Sequence, residues 1–395
     1  MDILDLVIVL LVGAALVSGW RRGLTWVGLS FLGLVLGVVV GAAIAPGIAR
    51  RFGDHQPSTE ALIGTGVFLG TVALIQGIGT AIGYRFRVLA LRTELAEIDS
   101  GLGSGLAAVG VLVSAWFLGL TFSQFGQFPR LADEIQHSAI LRGLDRIAPR
   151  PPGFLAQLGS LLRGEAFPNP FSGLGPQSFD DVPLPPPASL DKPPINTARN
   201  AVGKVISAGD CGVEAGSAFP FSGELWATNA HVVAGGKTIR LELPNHDQPL
   251  PATVVLFDPE VDIAVLDVPN THVTPLHLGT ENPATGTVGA VIGYPGGGAE
   301  QVVEAGVKGN ETAQGYDIYG SSQVTREIEV LQASIIPGNS GGPIVDLTGN
   351  VVGVVFAAST SNGDEGYALA PTTYIPRLQQ SLNRKTAVDT GGCSI

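Results

Sequence analysis

The sequence predicts two regions of unlike class, an all-helical domain of four membrane spans followed by an all-β domain of double-barrel type with a C-terminal helix. Three observations predict it. Four nearly charge-free runs succeed one another before Phe122. Twelve of the 28 prolines then fall between Pro149 and Pro194. Beyond Asn196 the chain turns to short runs of Val, Ile, Leu and Thr separated by Gly, Pro, Asn and Asp.

The four runs are Ile3 to Trp20, Gly23 to Ile48, Ala61 to Tyr84 and Gly101 to Phe122. Each approaches or exceeds the roughly 20 helical residues that cross a hydrocarbon core of about 30 Å. Buried helices of a soluble domain would carry polar faces, which these lack. A cleaved signal peptide would need a basic start, and three further spans follow the first run. Only 14% of the 395 residues are charged, against about 25% in an ordinary soluble protein. The membrane domain is assigned to residues 1–122.

Lys and Arg are retained on the cytoplasmic side of a membrane. The first and third loops hold Arg21, Arg22, Arg85, Arg87 and Arg92, whereas the second holds Arg50 and Arg51. Five against two puts both ends of the domain outside the cytoplasm. Glycines at four-residue spacing, such as Gly33, Gly37 and Gly41, let helix backbones approach closely in lipid. Span number and glycine content resemble the membrane domain of the colicin V production (CvpA) family.

In residues 123–148, Leu131, Ile135, Ile140, Leu144 and Ile147 recur at helical spacing among charged residues, which predicts an amphipathic helix at the membrane surface. Residues 149–196 read as a Pro-rich linker, because proline at this density disfavours helix and sheet interiors and leaves extended chain open to proteolysis.

In the last region, 197–395, strands are expected at Thr238 to Leu243, Ala252 to Phe257, Ile263 to Val268, Val288 to Gly293, Val324 to Gln332 and Val351 to Phe356, with one helix from Thr372 to Arg384. About 185 residues suit two barrels better than one small one. The net charge of −12 lies wholly beyond Phe122. An acidic region without clustered Lys and Arg is no nucleic-acid surface.

Three segments carry chemistry: Thr228-Asn229-Ala230-His231-Val232-Val233, Val261-Asp262-Ile263-Ala264-Val265-Leu266 and Pro337-Gly338-Asn339-Ser340-Gly341-Gly342-Pro343. Amide hydrolysis needs a hydroxyl beside a base, a carboxylate that orients the base, and N–H donors for the oxyanion. Ser340, His231 and Asp262 supply the first three, and the N–H groups of Gly338 and Ser340 the last. Asp258 and Asp267 are rivals for the carboxylate. The same serine fits the G-x-S-x-G elbow of α/β-hydrolases, but there a histidine follows the serine, and all six histidines here precede Ser340.

These motifs, in the order His, Asp, Ser, resemble the trypsin-like (chymotrypsin-fold) serine peptidases over residues 211–384. The resemblance implies a double β-barrel with the site in the cleft between the barrels, protein or peptide substrates, and no cofactor or metal. Together with four spans, the architecture is similar to the mycobacterial acid-resistance membrane proteases and their actinobacterial relatives, implying a role in envelope or acid stress. Where such peptidases carry Gly-Ser-Gly-Phe, this chain has Gly216-Ser217-Ala218-Phe219. By the same analogy Ser334, Val355, Ala357 and Tyr367 line the specificity pocket. An aspartate at the position of Ser334 would select Lys or Arg; serine there implies an uncharged or aromatic side chain, although Glu365 stands close in sequence.

Cys211 and Cys393 are the only cysteines and bracket this region. In an oxidising exterior such a pair is expected to bridge, which agrees with a protease domain on the periplasmic side. Unpaired thiols or an intermolecular bridge are the alternatives, and no usual metal site has this spacing. The expected function is a membrane-anchored serine endopeptidase acting on envelope proteins and able to cut itself in the Pro-rich linker or just before Cys211. A catalytically silent scaffold, or a membrane bundle with a separate task, is the alternative.

Overall fold

The computed structural model describes residues 3–52, 57–122, 131, 134–135, 137–147, 171, 179–244, 246–359 and 362–394. Two compact units result: residues 1–119 with 138–146, and residues 120–137 with 147–395.

In the first unit α1 runs Ile3–Phe52, α2 Pro57–Ala90, α3 Ala96–Phe122 and α4 Ala139–Ile147. Three described helices are long and apolar enough to cross a membrane, where the sequence presents four runs. The difference lies in α1, which contains the first two runs and departs from helical geometry at Gly23 (φ 77°, ψ 164°). A straight helix of 50 residues would be about 75 Å long, more than twice a hydrocarbon core. At Gly23 the chain turns back instead, for Gly19 lies against Gly103 and Ala107 while Gly28, beyond the break, lies against Leu106. Only glycine fits the turn. Its φ is left-handed, and a Cβ would overlap Asp99 and Arg87.

Those two residues form a buried pair, Arg87 Nη1 to Asp99 Oδ2 at 2.5 Å. Arg87 Nη2 also donates to Ser100 Oγ (2.8 Å), and Asp99 Oδ1 accepts from the Thr25 N–H (2.9 Å) as the second half of α1 begins. Gly33, Gly37 and Gly41 pack on α2 at Gly79, Val72 and Phe68.

Within the stretch expected to be amphipathic, Leu131 and Ile135 are helical and α4 forms the later part. Ser138 caps it, accepting from Leu141 N (3.2 Å), and Asp5 accepts from Ser138 Oγ (2.6 Å), Ala139 N and Ile140 N. A carboxylate at a helix N-terminus satisfies free donors and opposes the dipole. Leu141, outside the expected apolar set, is buried at 1% exposure, whereas Ile147 stands 81% exposed.

The second unit holds two closed six-stranded barrels. The first is made of β1 Gly203–Gly209, β2 Gly212–Ser222, β3 Leu225–Thr228, β4 Gly236–Glu242, β5 Leu250–Asp258 and β6 Ile263–Asp267, in the order β1-β2-β3-β6-β5-β4. The second is made of β7 Val288–Gly293, β8 Gln301–Tyr316, β9 Gln323–Gln332, β10 Pro343–Asp346, β11 Val351–Ala358 and β12 Glu365–Leu369, in the order β10-β11-β12-β9-β8-β7. The strand-to-strand pairings within both barrels are antiparallel.

Alternation along the strands explains how two barrels share one core. On β3 and β6, Trp226, Ala264 and Leu266 point into the first barrel, while Leu225, Ala227, Ile263 and Val265 face the layer shared with the second. Both faces are covered, so these strands read as continuous apolar runs. Ile292, Val330, Val354 and Phe356 complete the layer from the other side. Helices α5 (Pro193–Ala201) and α7 (Pro371–Ser381) seal it with Ile195, Ala198, Tyr374 and Leu378.

The Pro-rich stretch departs from the expected free linker from Phe179 onward. Phe179 packs on Gly309, Val182 N donates to Gln332 Oε1 (2.7 Å), and Lys308 pairs with Asp181 (3.1 Å). Pro193 and Pro194 open α5, where the missing N–H costs nothing. The boundary expected after Asn196 therefore falls inside a helix. Of the upstream part, 149–170 and 172–178 lie outside the described residues.

Candidate active site

His231 stands on the one-turn helix α6, Ala230–Val233, directly after β3. Asp262 precedes β6, which pairs with β3, so sheet register brings the two together. They meet at two points: His231 Nδ1 lies 2.8 Å from Asp262 Oδ2, and the His231 backbone N–H donates to Asp262 Oδ1 at 2.9 Å. Asp262 is 1% exposed. A buried carboxylate facing Nδ1 holds that proton and leaves Nε2 with its lone pair. Asn229 Nδ2 donates to the Asp262 carbonyl (2.8 Å), fixing the backbone of the same residue.

Neither rival carboxylate faces the imidazole. Asp258 Oδ1 accepts from Glu260 N and Val261 N (3.0 Å each) and its Oδ2 pairs with Arg377 (2.5 Å), while Asp267 pairs with Lys385 (3.4 Å).

Ser340 lies in the turn before β10. Gly338 (φ 98°) and Gly341 (φ 79°) flank it in left-handed conformation. A Cβ on Gly341 would overlap Ser217 O and Thr228 Oγ1 and come within 3.1 Å of Asn229 N, two residues before His231. Gly216 likewise lies between Val232 Cγ1 and the Ser340 carbonyl. Absence of side chains at these glycines lets the serine turn rest on the segment that carries the histidine. Among the described residues no hydrogen bond joins the Ser340 hydroxyl to the His231 ring. In unliganded sites such contacts are often long and tighten with substrate.

The turn presents donors. Gly296 N donates to Pro337 O (2.6 Å), and because C=O and N–H of a trans peptide point oppositely, the Gly338 N–H faces away from residues 295–297. Among the described residues neither the Gly338 nor the Ser340 N–H donates to a protein acceptor. Ser217, fully buried, pins the turn from the first barrel: its Oγ donates to Gly338 O (2.8 Å) and accepts from Tyr294 N (3.0 Å), and its N–H donates to Ser340 O (2.7 Å). This role was not read from the sequence, although Ser217 lies in the Gly216-Ser217-Ala218-Phe219 segment. The methyl of Ala218 sits without exposure in the first-barrel core.

The residues expected to form a specificity pocket divide. Ser334 is exposed. Val355 binds the serine turn through its backbone, accepting from Gly341 N (2.8 Å) and donating to Gly342 O (2.9 Å). Ala357 pairs with Tyr367 across β11 and β12, and the Tyr367 ring is buried, edge-on to Phe171 at 5.2 Å. Burial raises its hydroxyl well above the usual tyrosine range. Ile335 fills the space over Gly366. Lys308 takes the charge of Glu365 (3.0 Å). The Tyr367 hydroxyl also donates to Glu365 Oε1 (3.1 Å), so Glu365 is held by both Lys308 and Tyr367.

Cys211 and Cys393 are bridged, with Cα atoms 5.5 Å apart. The bridge closes a loop of 183 residues (separation 182, counting both ends), worth about 5 kcal/mol in the chain-entropy model, an upper bound. The tail it secures reaches the histidine segment, where Gly235 N donates to Thr390 O (3.1 Å) and Thr390 Oγ1 to Gly236 O (3.3 Å).

Comparison with known proteins agrees with both units. Residues 216–354 match the trypsin-like peptidase domain, and residues 4–149 match the colicin V production protein family. The chain is 32% identical over 394 residues to the serine protease Rv3671c of Mycobacterium tuberculosis, covering 99% of this chain and 98% of that one. A crystal structure of the Rv3671c protease in its active form superposes with a TM-score of 0.53 at 35% identity, covering 56% of this chain and 97% of that one. The mitochondrial protease Do-like 4 of Arabidopsis thaliana is 36% identical over 166 residues, 40% of this chain and 30% of that one. A shared length that spans both a membrane domain and a trypsin-like domain identifies the chain as a member of the Rv3671c family of serine proteases.

Proposed function

We propose that this protein is an endopeptidase anchored in a bacterial cell membrane, with its protease domain on the extracytoplasmic side, cleaving envelope proteins or peptides through an acyl-enzyme on Ser340. The Ser340 Oγ attacks the substrate carbonyl carbon while His231 Nε2 takes its proton. The resulting oxyanion is received by the N–H groups of Gly338 and Ser340. As the C–N bond breaks, His231 returns the proton to the leaving amine, and water then hydrolyses the ester with His231 again as base. Asp262 keeps the tautomer and balances the imidazolium. The two-point contact of His231 with Asp262 is the observation that carries this reading.

Four crossings are supported by the reversal of α1 at Gly23. The outside location is supported by the arginine count and by the bridged cysteines. Self-cleavage in the linker draws support from the contact of Phe171 with Tyr367, since a tethered segment beside its own site has a high effective concentration. The role in envelope or acid stress rests on the resemblance alone.

The test compares the full-length protein with Ser340→Ala, using a fluorescent organophosphonate and peptide mapping. Labelling of Ser340, lost in the variant while thermal unfolding is unchanged, is the expected result. Label retained by Ser340→Ala, or found on another residue, defeats the proposal. Shortened species that form equally in the variant remove the self-cleavage part.

A further inference from the structure

Asp262 is a non-glycine residue in the left-handed region (φ 66°), a conformation that persists only where the surroundings enforce it. The turn leading to it is built from within by Asp258, whose carboxylate accepts two backbone N–H groups and whose carbonyl accepts from Asp262 N (3.0 Å). Outside the turn stands Arg326, on β9 of the other barrel. Its Nε donates to Glu260 O (2.6 Å) and its Nη2 to Tyr316 O (2.9 Å).

Arg326 is 5% exposed and, among the described residues, makes no ion pair at contact distance. An uncompensated buried cation would be costly. Burial pulls its guanidinium down, and the negative charges of Asp262, Asp317, Asp258 and Glu260 partly offset that pull. Asp258 is already paired with Arg377, Asp317 accepts four hydrogen bonds within its own loop, and Glu260 is exposed. Asp262, at 1% exposure the most buried of the four, shares that charge while it holds His231.

We infer that Arg326 is a positioning residue for the reaction, holding the turn that aims Asp262 at His231 and lending that pair a buried positive charge. The inference rests on the triad reading. Removing the charge favours the imidazolium, which cannot act as base, so the acid limb of the pH profile moves to higher pH. Removing the two-point grip misplaces the carboxylate.

Full-length wild type, Arg326→Gln and Arg326→Lys are compared by the rate of organophosphonate labelling between pH 5 and 9, with Ser340→Ala as a blank. The expected result is a fall of about 10- to 100-fold in Arg326→Gln, a range seen when a distant change misplaces a catalytic group, together with an acid limb displaced upward. Arg326→Lys should keep the limb and lose rate, since one ammonium cannot span both carbonyls. A limb unmoved in Arg326→Gln overturns the inference. If that variant does not fold, labelling of Arg326→Lys at the wild-type rate does so. Absence of label on Ser340 in the wild type instead rejects the triad reading itself.

Discussion

The carboxylate of Asp262 grips His231 twice, one oxygen on the ring and the other on the backbone N–H of the same residue. The grip predicts how Asp262→Asn behaves. The amide oxygen is drawn to the backbone N–H, which leaves the NH2 facing Nδ1 as a donor. The imidazole must then carry its proton on Nε2, where it cannot accept from Ser340. We expect kcat/KM to fall by about 10⁴-fold, as for the corresponding change in other triads, with thermal unfolding nearly unchanged. Activity within tenfold of wild type would show that Asp262 does not set the tautomer.

Ser217→Ala separates the serine turn from its support. The Gly338 carbonyl loses its donor and the Tyr294 N–H its acceptor, both in buried surroundings. Unsatisfied buried groups cost about 1–3 kcal/mol each, and a misdirected oxyanion donor lowers kcat by about 10²–10³-fold. Because the donor acts on the developing charge, the loss should appear in kcat while KM stays close to wild type. An equal loss in a KM term alone would argue against this placement.

Much of this architecture was legible in the chain. The strand expected at Val288–Gly293 is observed residue for residue, because an apolar run of six residues bounded by turn residues is too short for an ordinary buried helix. The motifs around His231, Asp262 and Ser340 stand out as local runs, and the structure brings His231 and Asp262 into contact. Strand β8 was not singled out: Gly306, Gly309 and Gly315 interrupt its pattern and Lys308 is buried within it through pairing with Glu365. Arg326 carries no local signal either. It lies 64 positions from Asp262, and only the packing of one barrel on the other brings it to the turn. The docked stretch from Phe179 was masked by prolines, whose tolerance at helix starts depends on where the helix begins.

Glu329 is fully buried on β9, and among the described residues neither carboxylate oxygen has a hydrogen-bond partner. Burial holds its pKa well above the usual carboxylate range. Below the unfolded-state value the group is protonated in both states and stability is full. As pH rises past that value the unfolded chain releases the proton while the folded one retains it, so stability declines until the folded pKa is passed. The slope is about 1.4 kcal/mol per pH unit. Glu329→Met, apolar and of similar length, should raise the unfolding midpoint at pH 7 and 9 and abolish this decline. A midpoint difference from wild type that is the same at pH 5 and pH 9 would show that Glu329 does not titrate in this way.

In the membrane unit, Arg87 and Asp99 are both under a tenth exposed and join the break in α1 to the start of α3. Removing one partner of a buried pair leaves the other as an uncompensated charge, at a cost of about 3–5 kcal/mol, whereas replacing both with apolar groups is often close to neutral. Asp99→Leu alone should therefore lower the thermal midpoint of the detergent-solubilised full-length protein sharply. Arg87→Met added to it should recover most of the loss, even though the double variant has one fewer native side chain. Recovery is expected to be incomplete, because Asp99 also accepts from Thr25 N at the restart of the helix, a contact that neither replacement restores. If the double variant is less stable than Asp99→Leu alone, Arg87 contributes through its bonds to Ser100 and the carbonyls of Trp20 and Arg21 rather than through the pair.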